Sequence, residues 1–320
     1  MQAIEYILPD SNKTLEDISL LSSIDKEVLY GSLGDLKIPV SSDAETPFTL
    51  ATQAVLKLLK SNCIDTKKLD YIIYASSGVN DYQIWSPAAK IQKIINADNA
   101  FCFEISNGCN AFMAALHLVN GILNIENPGS ALLIMSDTLS KFIDYSETEN
   151  LHLLSFSDGA DAVYIDNYSN KNLLISSALV TDGAYSDVVK LSYGGVFEYN
   201  AEKKSNSKYM SVNLPDESRE SFYKTLINNY IHVIEKCIVE AKLKTENIKY
   251  FLLGRNSQKV LDAVFKYFLV SPDKILTTQL LGHVGSIDVA ITLKICLKKS
   301  LVHSGDYVLI ASTGSGYQRN

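Results

Sequence analysis

The chain has 320 residues, 29 Lys plus Arg against 36 Asp plus Glu, a formal charge of −7 and 47% hydrophobic residues. That balance supports a large buried core and rules out wholesale disorder, and the acidic excess argues against a protein that coats nucleic acid. Apolar runs such as Ala131-Leu132-Leu133-Ile134-Met135 fall far short of the ~20 residues a membrane span needs, and MQAIEYILPD lacks a basic segment ahead of an apolar core. A cytoplasmic protein with no membrane span is therefore expected. Helical spacing marks residues 49–60, and short apolar β-rich runs predict strands at 71–76, 101–105 and 131–136. An apolar helix runs from Ala111 to about Ile125, and Phe156-Ser157-Asp158-Gly159-Ala160-Asp161 reads as a tight turn. Polar residues 202–207 and Pro215-Asp216-Glu217-Ser218 read as excursions before a helix at 226–242, whose stripe includes Ile227, Tyr230, Ile234 and Ile238. A strand at 250–253, a helix at 287–298 and a strand at 307–312 follow. Strands alternating with helices of this length indicate α/β architecture with buried sheets.

Length alone suggests about two domains. A weak internal repeat refines this. Thr66-Lys67-Lys68-Leu69-Asp70-Tyr71 resembles Thr245-Glu246-Asn247-Ile248-Lys249-Tyr250 at an offset of 179, and Gly129-Ser130-Ala131-Leu132 resembles Gly305-Asp306-Tyr307-Val308 at 176. Two matches at nearly one offset suggest a duplicated unit, with chance similarity of amphipathic segments as the alternative. The seam falls near 167–171, giving halves 1–168 and 169–320.

The five cysteines, Cys63, Cys102, Cys109, Cys237 and Cys296, form no Cys-x-x-Cys pair, so neither a zinc site nor a redox motif is expected. Most sit in apolar runs as small hydrophobes. Cys109 differs: it follows a strand and a small-residue turn and opens the 111–125 helix, where the positive end of the helix dipole favours a thiolate nucleophile. Either offset carries Cys109 into Gly282-His283-Val284-Gly285-Ser286-Ile287-Asp288, so the unusual cysteine and histidine occupy matching places. His283 with Asp288 five residues on suits a base and its orienting carboxylate. A turn-capping histidine and a dipole-favoured aspartate explain the same residues about as well. His117, His152, His232 and His303 are weaker candidates. Thr313-Gly314-Ser315-Gly316 has accessible N–H groups for an oxyanion. No phosphate-loop or dinucleotide glycine motif is correctly placed, which argues against nucleotide binding.

These segments, taken in order, resemble the β-ketoacyl-(acyl carrier protein) synthase III branch of the thiolase fold. The resemblance runs through Tyr6-Ile7-Leu8-Pro9, Asp43-Ala44-Glu45-Thr46, Ser86-Pro87-Ala88, the nucleophile segment Phe103 to Phe112, Phe156-Ser157-Asp158-Gly159-Ala160, and Gly305 to Ile310 with the loop after it. It implies two duplicated βαβαβαββ halves in a five-layer αβαβα sandwich, usually a homodimer. It also implies a Cys109 that accepts an acyl group, and an oxyanion hole from the N–H groups of Cys109 and Ser315. The condensing members use Cys-His-Asn; here Arg255 stands where that histidine belongs, and His283 follows the glycine that the asparagine should follow. Divergent acyl-transferring members are similar in carrying a late Gly-His turn with an aspartate five residues on. The basic anchors for the carrier cofactor are not evident in Tyr30-Gly31-Ser32-Leu33-Gly34-Asp35.

The expectation is therefore an acyltransferase or condensing enzyme of fatty-acid, polyketide or other specialised-metabolite biosynthesis. It would use acyl-CoA or a phosphopantetheinyl carrier protein as co-substrate, with no tightly bound cofactor and no metal. The alternatives are a catalytically degenerate subunit supporting a related ketosynthase in a heteromer, and a protein in which Cys109 and His283 are merely structural.

Overall fold

The stretch 130–138 is buried along its whole length, as a strand is when helices cover both faces of its sheet. The computed structural model describes residues 1–320 apart from 126–128, 147–148, 170, 193, 196–208, 315–317 and 320. Its first part runs β1 (Ala3–Ile7), β2 (Asn12–Thr14), α1 (Leu15–Ser22), α2 (Lys26–Leu33), β3 (Lys37–Pro39), α3 (Pro47–Asn62), β4 (Tyr71–Ser76), α4 (Pro87–Ile94), β5 (Phe101–Ser106), α5 (Ala111–Ile125), β6 (Ser130–Thr138) and β7 (Asp158–Asp166). The second runs β8 (Val180–Thr181), β9 (Val189–Leu191), β10 (Met210–Val212), α6 (Asp216–Glu240), β11 (Ile248–Leu253), α7 (Gln258–Phe268), β12 (Ile275–Leu276), α8 (Asp288–Lys298), β13 (Tyr307–Ala311) and β14 (Gln318–Arg319).

The first sheet has the order β1-β7-β6-β4-β5, with β6, β4 and β5 parallel and β7 antiparallel to both β1 and β6. The second part echoes this plan in two pieces: a parallel sheet of order β12-β11-β13 and, separately, the antiparallel pair β14–β8. The two sheets sandwich α5 and α8. One face of the first sheet packs Leu132 and Ile134 against α3 and α4; the other packs Leu133 and Met135 against Phe112, Val119, Val289 and Ile291 of the central helices. Ile310 of β13 reaches the same central cluster, and α6 and α7 cover the far side of the second sheet through Leu226, Tyr230 and Val260. Five layers result, and each central helix meets protein from both sides. Gly108–Ile125 is apolar enough by composition to cross a membrane; here Ala111, Phe112, Ala115 and Leu116 are buried in the core, while Leu118 and Ile125 are exposed.

Local chemistry sets the helix boundaries. Thr46 caps α3 by accepting from Thr49 N–H at 3.2 Å, with Pro47 pre-set at the first helical position. Pro215-Asp216-Glu217-Ser218 is no excursion. It begins α6, where Asp216 and Glu217 place negative charge on the first turn, so this helix starts ten residues before the expected 226. The segment expected as a turn at 156–161 is also different: Asp158 already belongs to β7, and Asp158 and Asp161 are fully buried. Asp158 stays there because Ser140 N–H, Ser140 Oγ–H and Ser41 N–H donate to it at 2.8, 2.6 and 2.7 Å. The polar stretch 202–207 lies outside the described residues.

Candidate active site

Two short turns meet at the centre of the molecule, each leading into a central helix. Gly108–Asn110 joins β5 to α5 and carries Cys109, which is only 5% exposed. Gly285–Ile287 leads into α8, whose first residue is Asp288. The turns are in contact, as the repeat offset implied. Asp137, at the end of β6, fixes the second turn to the first sheet: one carboxylate oxygen accepts from Ser286 N–H (2.9 Å) and Oγ–H (2.7 Å), the other from the N–H and hydroxyl of Ser77.

His283 is held by backbone and ring together. Its N–H donates to Ser155 O at 2.8 Å and its carbonyl accepts from Ser157 N–H at 2.9 Å. The edge of the Phe156 ring meets the imidazole at 4.8 Å between centroids and 74° between planes. Gly282 makes the approach feasible, since its φ is +71° and a Cβ there would collide with the Ser155 carbonyl.

Nδ1 of His283 lies 2.6 Å from Asp288 Oδ2. A carboxylate can only accept, so Nδ1 carries the proton, leaving Nε2 for the neighbouring Cys109. Burial pulls the imidazole pKa down, but Asp288 and Cys109 flanking the ring outweigh it and hold His283 well above the ordinary histidine value. Asp288 is itself tied down: Oδ2 also accepts from Arg255 N–H at 3.0 Å, and Oδ1 accepts from Val284 N–H at 2.7 Å. The Thr278 hydroxyl sits 3.3 Å from Oδ1 and 3.0 Å from Gly282 O, sharing its one proton between them.

The structure thus brings Cys109, His283 and Asp288 together. Arg255 joins them by its backbone; its guanidinium turns away and donates to Leu33 O at the end of α2. Burial lowers the guanidinium's pKa, with Asp288 opposing, and also lowers that of His152, helped by the nearby Arg255 charge. Ser315 lies outside the described residues. His117, placed by its sequence in a buried helix, is exposed and sits 2.6 Å from Ser177 Oγ. Cys63 is exposed at the end of α3 rather than packed. Thr278 and the Arg255 N–H were not read from sequence as parts of the site; a threonine ten residues before Asp288 carries no spacing signal, and a backbone donor carries none at all.

Two family descriptions match this chain: 3-oxoacyl-[acyl-carrier-protein] synthase III over residues 103–183 and the C-terminal part of the same family over 238–319, together about half of it. A β-ketoacyl-[acyl-carrier-protein] synthase III from Prochlorococcus marinus (strain NATL2A) is 27% identical over 278 residues, covering 87% of this chain and 81% of that one. Among solved structures, synthase III from Thermus thermophilus superposes with a TM-score of 0.86 at 20% identity, covering 100% and 97% of the two chains. Xanthomonas campestris OleA, solved with bound lauric acid and lauroyl-CoA, gives 0.79 at 18% identity over 99% and 95%. These structural likenesses speak to the fold. With the two matched regions carrying the Cys109 turn and the His283–Asp288 segment, the chain belongs to the 3-oxoacyl-(acyl carrier protein) synthase III-like condensing enzymes of the thiolase fold.

Proposed function

We propose that Cys109 takes an acyl group from a thioester and passes it to an acceptor nucleophile. The observation that carries this reading is the line Cys109–His283–Asp288, with the 2.6 Å Nδ1–Oδ2 bond fixing the tautomer that leaves Nε2 toward the thiol. In the first half-reaction the thiol proton is held on His283 as the imidazolium, the sulfur attacks the thioester carbonyl, and the tetrahedral intermediate expels the carrier thiolate, which takes the proton from His283. Asp288 stabilises that imidazolium. The Cys109 N–H at a helix entrance suits the oxyanion, and the resemblance assigns the Ser315 N–H as its companion. In the second half-reaction His283 takes a proton from the acceptor as it attacks the acyl-cysteine, and the tetrahedral intermediate collapses with cleavage of the carbon–sulfur bond, expelling the Cys109 thiolate, which recovers that proton from His283.

Acyl-CoA is supported as donor by the lauroyl-CoA held by the related-fold OleA; an acyl carrier protein is the other donor the family name suggests. Transfer to an amine, a hydroxyl or the deprotonated α-carbon of a second thioester is favoured over decarboxylative condensation, because Arg255, standing where the family histidine belongs, directs its guanidinium to Leu33 O. The reading places the chain in fatty-acid, polyketide or related biosynthesis and in a homodimer paired through β5, an edge strand with Phe101 66% exposed.

Intact-mass measurement after incubation with acyl-CoAs and acyl carrier proteins of graded chain length tests the reading. One acyl adduct, absent from Cys109→Ala, is the expected result. No adduct with any donor overturns it.

A further inference from the structure

One proton has two claimants beside the base. Thr278 lies just after β12 and is 3% exposed. Its carbonyl accepts from Leu281 N–H at 2.7 Å, and its hydroxyl reaches two oxygens, Gly282 O at 3.0 Å and Asp288 Oδ1 at 3.3 Å. A threonine hydroxyl has one hydrogen, so it serves one of them at a time. Both acceptors bear on His283. Gly282 is its chain neighbour, and Asp288 accepts from its ring through Oδ2 and from Val284 N–H through Oδ1. The carbonyl that precedes the base and the carboxylate that orients it are therefore within reach of the same donor.

We infer that Thr278 is a positioning residue whose hydroxyl turns toward Asp288 Oδ1 when His283 gives up its proton, and back toward Gly282 O when the ring regains it. The inference rests on the acyl-transfer reading above and adds to it the group that steadies the carboxylate between the two half-reactions. While the ring is an imidazolium, its charge compensates Asp288. Once the carrier thiolate has taken the Nε2 proton, the buried carboxylate keeps its charge beside a neutral ring, and a further donor is worth most at that moment. The movement is a rotation about the Cβ–Oγ1 bond, and no covalent bond forms or breaks in it. The other charged or titratable groups near the pair are Cys109 before α5, Arg255 after β11, Tyr230 on α6 and, beyond Ser286, Asp137 on β6; all four are unaltered in the variants below.

In this scheme the free enzyme holds a protonated His283 and the acyl-enzyme a neutral one, so the acylation equilibrium reads the hydroxyl directly. Thr278→Val keeps the size of the side chain and removes the donor. It should lower the ratio of acylated to free Cys109, measured by intact mass at fixed acyl-CoA and CoA, by about 3- to 10-fold. In an NMR titration it should raise the pH at which His283 loses its proton by about 0.5–1. Alkylation by iodoacetamide forms a sulfur–carbon bond as iodide leaves and takes no proton from the ring, so its rate should stay within about twofold. Thr278→Ser, which keeps the hydroxyl, should match wild type in all three measurements. An unchanged acylation ratio or an unchanged His283 titration in Thr278→Val overturns the inference alone. So does an equal fall in acylation and alkylation, or a Thr278→Ser that behaves like Thr278→Val. A wild-type protein that alkylates but accepts no acyl group overturns the acyl-transfer reading, and this inference with it.

Discussion

The two central turns occupy the same place in a repeated plan and do opposite work. Before α5, Gly108–Asn110 presents a sulfur and the helix opens on apolar Ala111 and Phe112. Before α8, Gly285–Ile287 is followed at once by a buried carboxylate, and His283 sits on the approach. The difference lies in how each is held. The cysteine turn needs little polar support, since a thiol is a small hydrophobe. The histidine side collects donors from Thr278, Val284 and Arg255 on Asp288, and from Ser77 and Ser286 on Asp137. A nucleophile can be carried by one well-placed residue; an oriented base needs a buried network to keep its charge.

Removing either turn's chemistry breaks the comparison at its strongest point. Cys109→Ala should lower acyl-adduct formation by about 10⁴-fold or more, read by intact mass, with circular dichroism unchanged. On the other side, His283→Ala should slow acylation by about 10²–10⁴-fold. Asp288→Asn should fall in the same range because the tautomer is no longer fixed. An acylation rate in Asp288→Asn equal to wild type would mean that the carboxylate serves the fold alone.

The network also has a pH signature. The folded state holds the His283 proton more tightly than the unfolded chain does, so its stabilising contribution is complete below the unfolded value of about 6.5 and fades as pH rises through the elevated folded one. The stability gap between wild type and Asp288→Asn in urea titrations should therefore be widest at pH 5–6 and narrow toward pH 9. A gap that stays constant with pH would show that Asp288 and His283 are not ion-paired.

The smallest effect comes from the one acid the network leaves out. Asp161 is fully buried on β7 and neither of its carboxyl oxygens has a hydrogen-bond partner among the described residues. Burial and the neighbouring Asp137 charge push its pKa well above the ordinary carboxylate value, with the Met135 amide pulling the other way. Asp137 stands near it on β6, Tyr6 opposite it on β1 and Ser286 beyond Asp137, and none of these three is a cation. The folded chain thus retains a proton the unfolded chain releases, and stability declines as pH rises from about 3.9 through the raised value. Asp161→Ala should stabilise the protein by about 1–2 kcal/mol near pH 7 and by progressively less toward pH 4. A destabilised variant would mean that the side chain has a packing role.

Much of this was legible in the chain, for reasons that particular residues make plain. The offset of the repeat brought Cys109 and His283 together because duplicated helices present duplicated turns. Residues 71–76 and 131–136 announced themselves by the apolar runs Tyr71 to Ala75 and Ala131 to Met135, while the polar ends of the second strand, which runs from Ser130 to Thr138, did not. β7 was hidden because Ser157-Asp158-Gly159-Ala160-Asp161 uses turn residues, and only Ser41 and Ser140, distant in sequence, make a buried Asp158 tolerable. Residues 215–218 were misread although a proline before two acidic residues is a fair helix start. Much of what supports the base was illegible: Thr278 and the Arg255 N–H gain meaning only from contacts that the fold creates.

The tie between Arg255 and Leu33 gives the site a mechanical dependence on α2. That guanidinium caps the carbonyl end of a short peripheral helix, while the same residue's N–H grips Asp288. Heat or denaturant that frays the α1–α2 corner will therefore reach the carboxylate in one residue, and reactivity at Cys109 will be lost before the two sheets come apart.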